Sequence, residues 1–343
     1  MKAKGGIVLG LIVVLSVLVG AAVLVHLHAP QPLLERLHDA VHRGTGHGAL
    51  PGSEAGAESR AREGVAAMSR AREGVAAIGS RWDAEAFAAT VALYTAVHRE
   101  LEWPGVLEPE TVRYGDHEQQ TFELFRPEQG FSEPGPVFVF LHGNGLGNSD
   151  RSAPGSDGFI YDHLGKLAAT FGGIGVSMSY RNGAGTAVES GAEDLRLVIG
   201  WIVEHIAPYG GDPGTIVVLG NSEGATRTAA YLFDEDLQMA SGPGIAAAIL
   251  SSGLFGSLAP GIEELVRAYD GERVPLALWS AGYDTAEVSS GIADLHELLC
   301  RKYDGCPWFE QIEGHNHVSH VLSLGTDDTD VQNRLIRFYH TVR

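Results

Sequence analysis

The chain is 343 residues long, 44% hydrophobic and 20% charged, with a formal net charge of −19. That composition supports a packed core and excludes a disordered chain, and the acidic balance excludes a binder of nucleic-acid phosphates, which needs a basic footprint. Two cysteines exclude a disulfide-dense scaffold and a four-cysteine zinc site, and the length fits one large or two small domains.

Lys2 and Lys4 precede a stretch from Gly5 to Val25 without a single charge. Its length approaches the roughly 20 residues of a bilayer-spanning helix and exceeds the roughly 7–15 apolar residues usual in a signal peptide. Residues 1–27 are therefore expected to form a retained signal anchor, with a cleaved signal peptide as the alternative. The lysines should stay on the cytoplasmic side, which places the rest of the chain outside the cytoplasm. If the helix is cut, the protein is secreted.

Residues 28–79 read as a linker, rich in Pro, Gly, His and Ala at its start. It contains a duplicated decapeptide. Ser59–Met68 and Ser69–Ile78 differ only at the last residue. Two such short copies cannot make a solenoid. A duplication in a tolerant tether is the expectation, with a helical spacer as the alternative.

Residues 80–343 are expected to form one domain. Ser80 is a candidate cap for a helix through Trp82, Phe87, Val91, Tyr94 and Val97. Strands are expected at 111–114, 120–127, 137–141, 174–180, 216–219, 246–250 and 275–279, with a short strand and turn at 309–314. Helices are expected at 162–171, 192–206, 224–233 and 290–303. Strands that read as continuous apolar runs, alternating with helices, predict an α/β fold with a mostly parallel central sheet and helices on both faces.

Gly220-Asn221-Ser222-Glu223-Gly224 follows one such strand and opens a helix, the context a G-x-S-x-G turn requires. Such a turn projects a serine hydroxyl above the sheet, making Ser222 the candidate nucleophile. A serine needs a general base held by a third group, arriving in the order acid then histidine. Asp284, in the loop after the strand 275–279, is the candidate acid; Asp270 and Asp294 are weaker candidates. The base is sought among His315, His317 and His320, with His317 first and His315 second. His320 is expected to face the following helix. This trio lacks the H-E-x-x-H spacing of a zinc site and has no obvious carboxylate partner, so no metal is expected. Leu141-His142-Gly143-Asn144-Gly145 leaves a buried strand as a glycine-rich loop. The amides of Gly143 or Asn144, with that of Glu223, are the candidate oxyanion hole.

Taken together, these motifs resemble an α/β-hydrolase of the esterase/lipase type. The nearest branch is that of hormone-sensitive-lipase-like carboxylesterases, feruloyl-esterase-like enzymes and kynurenine formamidases. The resemblance covers about residues 110–343. It rests on Tyr114-Gly115-Asp116, His142–Gly145, Ser179-Tyr180-Arg181-Asn182, Glu193-Asp194-Leu195 and Tyr209–Pro213. It rests also on Gly220–Gly224, the Asp284 loop and Gly314-His315-Asn316-His317. It implies Ser222 as nucleophile, His317 (the last residue of a G-x-x-H pattern) as base, and Asp284 as the base's orienter.

The implied function is hydrolysis of small or medium carboxylic esters through an acyl-enzyme, with no cofactor, no metal and no nucleic-acid partner. A lipase on longer acyl chains and an amide or formamide hydrolase are the alternatives; a non-catalytic binding module ranks last. Substrate is expected over the strand ends, between the 142–160 loop and the helix 80–100. Two positions depart from the pattern. Asn144 stands where a third glycine is usual, and Glu223 where alanine is common. A carboxylate at 223 would repel anionic substrates or hydrogen-bond a leaving group. Cys300 and Cys306 are expected to form a small-loop disulfide in an exported chain.

Overall fold

Among the described residues, eight strands pair into one sheet in the order β1-β2-β4-β3-β5-β6-β7-β8. The computed structural model describes residues 54–342 apart from 145–152, 154, 157 and 183–185. The expected helix at 1–27 and residues 28–53 of the expected linker lie outside the described residues. Among those described, no helix is long and apolar enough to cross a membrane.

The strands are β1 (Glu110–Arg113), β2 (Thr121–Phe125), β3 (Gly135–Leu141), β4 (Ile174–Met178), β5 (Gly211–Asn221), β6 (Ala247–Ser251), β7 (Leu276–Tyr283) and β8 (Trp308–Asn316). β1 and β2 are antiparallel to their neighbours, and β4, β3, β5, β6, β7 and β8 run parallel. This is the α/β architecture that the alternating pattern predicts, with an antiparallel edge.

The helices are α1 (Glu54–Ile78), α2 (Ala84–His98), α3 (Asp162–Thr170), α4 (Val188–His205), α5 (Glu223–Phe233), α6 (Ile262–Ala268), α7 (Ala286–Lys302), α8 (Ser319–Leu322) and α9 (Thr329–Val342). They cover two faces because successive strand residues point to opposite sides. Ile216, Val218, Ala248, Leu250 and Leu278 share one cluster with Leu195, Val198 and Ile199 of α4 and Ala229 of α5. Val217, Leu219, Ala247, Ile249, Ala277 and Trp279 face the other cluster, with residues of α1, α2, α3 and α9.

Two expectations need correction. The linker reading fails for residues 54–78, which form α1. Its Ala, Arg and Glu are good helix formers, and Ala67, Met68, Ala71 and Val75 make a buried stripe at helical spacing. Gly74 is a point of close approach: a Cβ there would sit 2.5 Å from Leu93 Cδ1 of α2. The cap of α2 is Asp83 rather than Ser80. The Asp83 side chain accepts from the Ala86 amide at 2.8 Å, closing the first turn three residues later than expected. Helix α6 matches no expected element, and α8 and α9 match only the unplaced helix expected after His320.

Candidate active site

Ser222 joins the end of β5 to the start of α5 with φ 56° and ψ −123°. For a non-glycine residue this is the strained turn that lifts a side chain off the sheet. Glycine at 220 and 224 makes the turn possible. A Cβ on Gly220 would lie 2.6 Å from Gly224 O, and one on Gly224 2.3 Å from Leu141 O. Gly143 comes just as close, since a Cβ there would meet Ser222 Cβ at 2.8 Å. The loop after β3 and the turn after β5 are thus in direct contact, with the amides of Gly143, Asn144 and Glu223 carried on the two segments flanking the hydroxyl.

His317 lies in the turn between β8 and α8. Its Nε2 is 2.8 Å from Ser222 Oγ and its Nδ1 is 2.7 Å from Asp284 Oδ1. Asp284 follows the end of β7 and also accepts from the Ala281 amide at 2.8 Å and the Ser252 hydroxyl at 2.8 Å. Burial by itself raises the Asp284 carboxyl. The hydrogen bond from His317, electrostatic attraction to the imidazoles around it and the Ser252 hydroxyl outweigh that, so the group lies below the usual carboxylate range. Asp270 and Asp294 are exposed and take no part. Helix α7 is capped by Thr285, leaving Asp284 free of that duty.

The other two histidines point elsewhere. His315 reaches Ser319 Oγ at 3.2 Å and Asp328 Oδ2 at 3.5 Å. His320 does not face a following helix; it turns back to Ser251 Oγ and to Asn316 O at 3.1 Å. Complete burial lowers its pKa to about 4, so it is a neutral structural imidazole at neutral pH. The three rings do not converge on a common point, which removes the metal-ligand geometry for this trio.

A hydroxyl, an imidazole and a buried carboxylate in series suit proton transfer to and from an attacking serine, beside amides suited to an oxyanion. A carboxylesterase-family sequence model matches residues 121–259. The stretch includes β2 to β6 and the Ser222 turn. Over this stretch, less than half of its length, the chain is similar to the carboxylesterase family. Among its curated relatives are Esterase P of Drosophila melanogaster, 28% identical over 142 residues, and Esterase B1 of Culex pipiens, 28% identical over 134 residues. These matches cover 40% and 35% of this chain but only 26% and 23% of the relatives. The chain therefore spans about a quarter of the length of the curated relatives it matches.

Solved structures extend the likeness of fold. Esterase B of Lactobacillus rhamnosis aligns over 76% of this chain and 96% of its own, with TM-score 0.57 and 15% identity. A bacterial heroin esterase aligns over 76% and 92%, with TM-score 0.54 and 19% identity.

The histidine turn is held by residues that no local motif marks. Trp82, in the connection between α1 and α2, packs against His317 with ring centroids 4.2 Å apart. Asn316 Nδ2 donates to Thr90 Oγ1 of α2 at 2.9 Å. Arg72 Nε, in the second decapeptide, is 3.2 Å from Asp328 Oδ2, the carboxylate that also faces His315. The His315 hydrogen bond outweighs the effect of burial on Asp328 and, with Arg72, holds its pKa near about 2. None of these contacts has a local signal, because each joins residues far apart in the chain. Ser252 is a partial exception. Its φ of 44° follows the strand end Leu250–Ser251, where such loops carry functional groups. Cys300 and Cys306 are disulfide-bonded at the end of α7.

Proposed function

We propose that the protein is a serine esterase that cleaves small or medium carboxylic esters through a Ser222-His317-Asp284 triad. The observation that carries the reading is the His317 imidazole, which spans Ser222 Oγ at 2.8 Å and Asp284 Oδ1 at 2.7 Å beneath a strained nucleophile turn. Ser222 Oγ attacks the ester carbonyl as its proton passes to His317 Nε2. The amides of Gly143 or Asn144 and of Glu223 receive the oxyanion. His317 then protonates the leaving alcohol as the C–O bond breaks. Water then attacks the acyl carbon as its proton passes to His317, and His317 returns that proton to Ser222 Oγ as the acyl–oxygen bond breaks and the acid leaves. Asp284 stays ionised and stabilises the imidazolium throughout.

The test is hydrolysis of p-nitrophenyl esters from two- to sixteen-carbon acyl groups by the full chain, beside Ser222→Ala. Activity lost in Ser222→Ala is expected, with an optimum at short or medium acyl length. An optimum at long acyl groups would redirect the assignment to a lipase. A folded wild-type protein without activity on any ester would overturn the reading, and formamide and anilide substrates then become the ones to try.

We also propose that residues 1–27 anchor the enzyme in a membrane with its catalytic domain outside the cytoplasm. The two lysines before an uncharged stretch support this, as does a disulfide, which persists in oxidising compartments. Retention of the intact chain in carbonate-washed membranes tests it; release of a shorter soluble protein would indicate signal cleavage instead.

A further inference from the structure

Glu223 presents a problem for the proposed reaction. Its amide is one of the candidate oxyanion donors, yet its side chain carries a negative charge one residue from the nucleophile. A negative charge fixed beside a developing oxyanion opposes the reaction, and a site sheltered from water screens it poorly.

The counter-charge is Arg227, one turn further along α5. Its Nη2 lies 2.6 Å from Glu223 Oε1. The Arg227 side chain is 0% exposed and that of Glu223 24% exposed, so the cation is sealed beneath the site while the anion borders it. Arg227 Nη1 donates to Ala187 O at 2.9 Å and Val188 O at 3.2 Å, where α4 begins. Its guanidinium carbon stands 5.0 Å from the centre of the Tyr180 ring. Room for it comes from Gly191 of α4, where a Cβ would lie 2.3 Å from Arg227 Cδ.

Tyr180 extends the connection. Its hydroxyl donates to His142 O at 2.6 Å, and His142 directly precedes Gly143. The His142 ring stacks on Tyr180 at 4.9 Å. One buried guanidinium thus ties the segment bearing the Glu223 amide to the segment bearing the Gly143 and Asn144 amides. Burying an arginine for stability alone is a poor use of it, because its desolvation offsets much of the ion-pair attraction.

We propose that Arg227 is a positioning residue for ester hydrolysis: it neutralises Glu223 and sets the two oxyanion-binding segments against each other through Tyr180. The inference rests on the serine-esterase reading above. It explains how a carboxylate is tolerated beside the nucleophile, and it removes the expectation that Glu223 stands as a bare charge toward substrate.

The experiment compares kcat and KM on a short-chain p-nitrophenyl ester for wild type, Arg227→Met and the Glu223→Gln/Arg227→Met double variant, with folding checked by thermal unfolding. Arg227→Met should lose roughly a hundredfold in kcat, the scale of one oxyanion donor, with KM changed less than about threefold. Adding Glu223→Gln should recover at least about tenfold of that loss, because the stranded charge is gone. A loss of packing alone would not be rescued, so an equally impaired double variant overturns the proposal, as does an Arg227→Met with wild-type kcat. Where Arg227→Met does not accumulate in folded form, Arg227→Lys and Arg227→Gln take its place. The lysine variant should keep at least about ten times the kcat of the glutamine variant, and equal rates overturn the proposal. Wild-type protein that hydrolyses no ester would instead remove the esterase reading itself.

Discussion

The Trp82 ring lies against the His317 imidazole, with centroids 4.2 Å apart and planes inclined at 57°. Trp82 comes before the first strand of the sheet, while His317 follows the last. The connection between α1 and α2 therefore lies beside the proposed triad. Trp82 also meets Phe87 edge-on at 6.0 Å, which fixes it to α2. Aromatic contacts of this kind contribute about 0.5–1.5 kcal/mol. Trp82→Ala should accordingly lower kcat/KM for a p-nitrophenyl ester by about three- to tenfold, and Trp82→Phe should restore most of it. Unchanged kcat/KM in folded Trp82→Ala would reduce the contact to packing.

Asp328 joins α1 to the histidine turn by facing both Arg72 and His315. Asp328→Asn removes the charge that both partners face and should cost about 1–3 kcal/mol in urea unfolding. Arg72→Met leaves His315 paired and removes a cation that is 58% exposed, so it should cost under about 1 kcal/mol. The reverse order would show that α1 is held by Arg72 itself.

Acid should destabilise the fold well before its carboxylates are protonated. Burial lowers His98 and His320 to about 4 and His163 well below its ordinary value. In the unfolded chain all three titrate near the usual 6.5, so between those values the unfolded state binds more protons. Stability is full above about pH 6.5 and is lost as the pH falls toward about 4, with His98 and His320 each withdrawing on the order of 3 kcal/mol. Asp328, held at about 2, adds a further loss below about pH 4. Thermal midpoints at pH 7, 6, 5 and 4.5 should fall steadily; a flat series would show that these imidazoles are not buried as neutral rings.

The Cys300–Cys306 bridge closes a short loop, with a sequence separation of 6, between α7 and β8. Chain-entropy arguments assign so short a loop about 2 kcal/mol. A Cys300→Ser/Cys306→Ser variant should lose about that much in denaturant unfolding. Its kcat should stay within about twofold of wild type, since the bridge lies at the end of α7 away from Asp284. A hundredfold fall in kcat would indicate that the loop helps to place β8.

Local chemistry made much of this protein legible. The strands from β3 to β7 read as apolar runs because they are covered on both faces. The Ser222 turn was legible because strand, turn and helix follow one another within a few residues, and a Cβ on Gly220 would meet Gly224 O; the demand on Gly224 comes from the distant Leu141 carbonyl. Asp284 followed as a candidate from its order after that turn, while three histidines stayed in reach and the resemblance singled out His317. The fate of His315 and His320 was less legible, because three histidines in six residues look alike until Asp328, Asp284 and Ser251 take one each.

The duplicated decapeptide marks the boundary between the two kinds of information. Gly64 and Gly74 have the same local sequence, yet nothing comes within 4 Å of a Cβ placed on Gly64, while one on Gly74 would meet Leu93 at 2.5 Å. Helix propensity is a property of the segment and is the same for both copies. Burial depends on what packs against the segment, and α2 packs closely at the second copy. The sequence by itself determined the α/β order, the strained serine turn and the order in which the candidate acid and base follow it. Only the tertiary structure decided that the presumed tether is a packed helix, that Trp82 and Arg72 support the histidine turn, and that Arg227 answers the charge of Glu223. Those contacts join residues with no periodic relation along the chain, and they exist only where folding brings distant surfaces together.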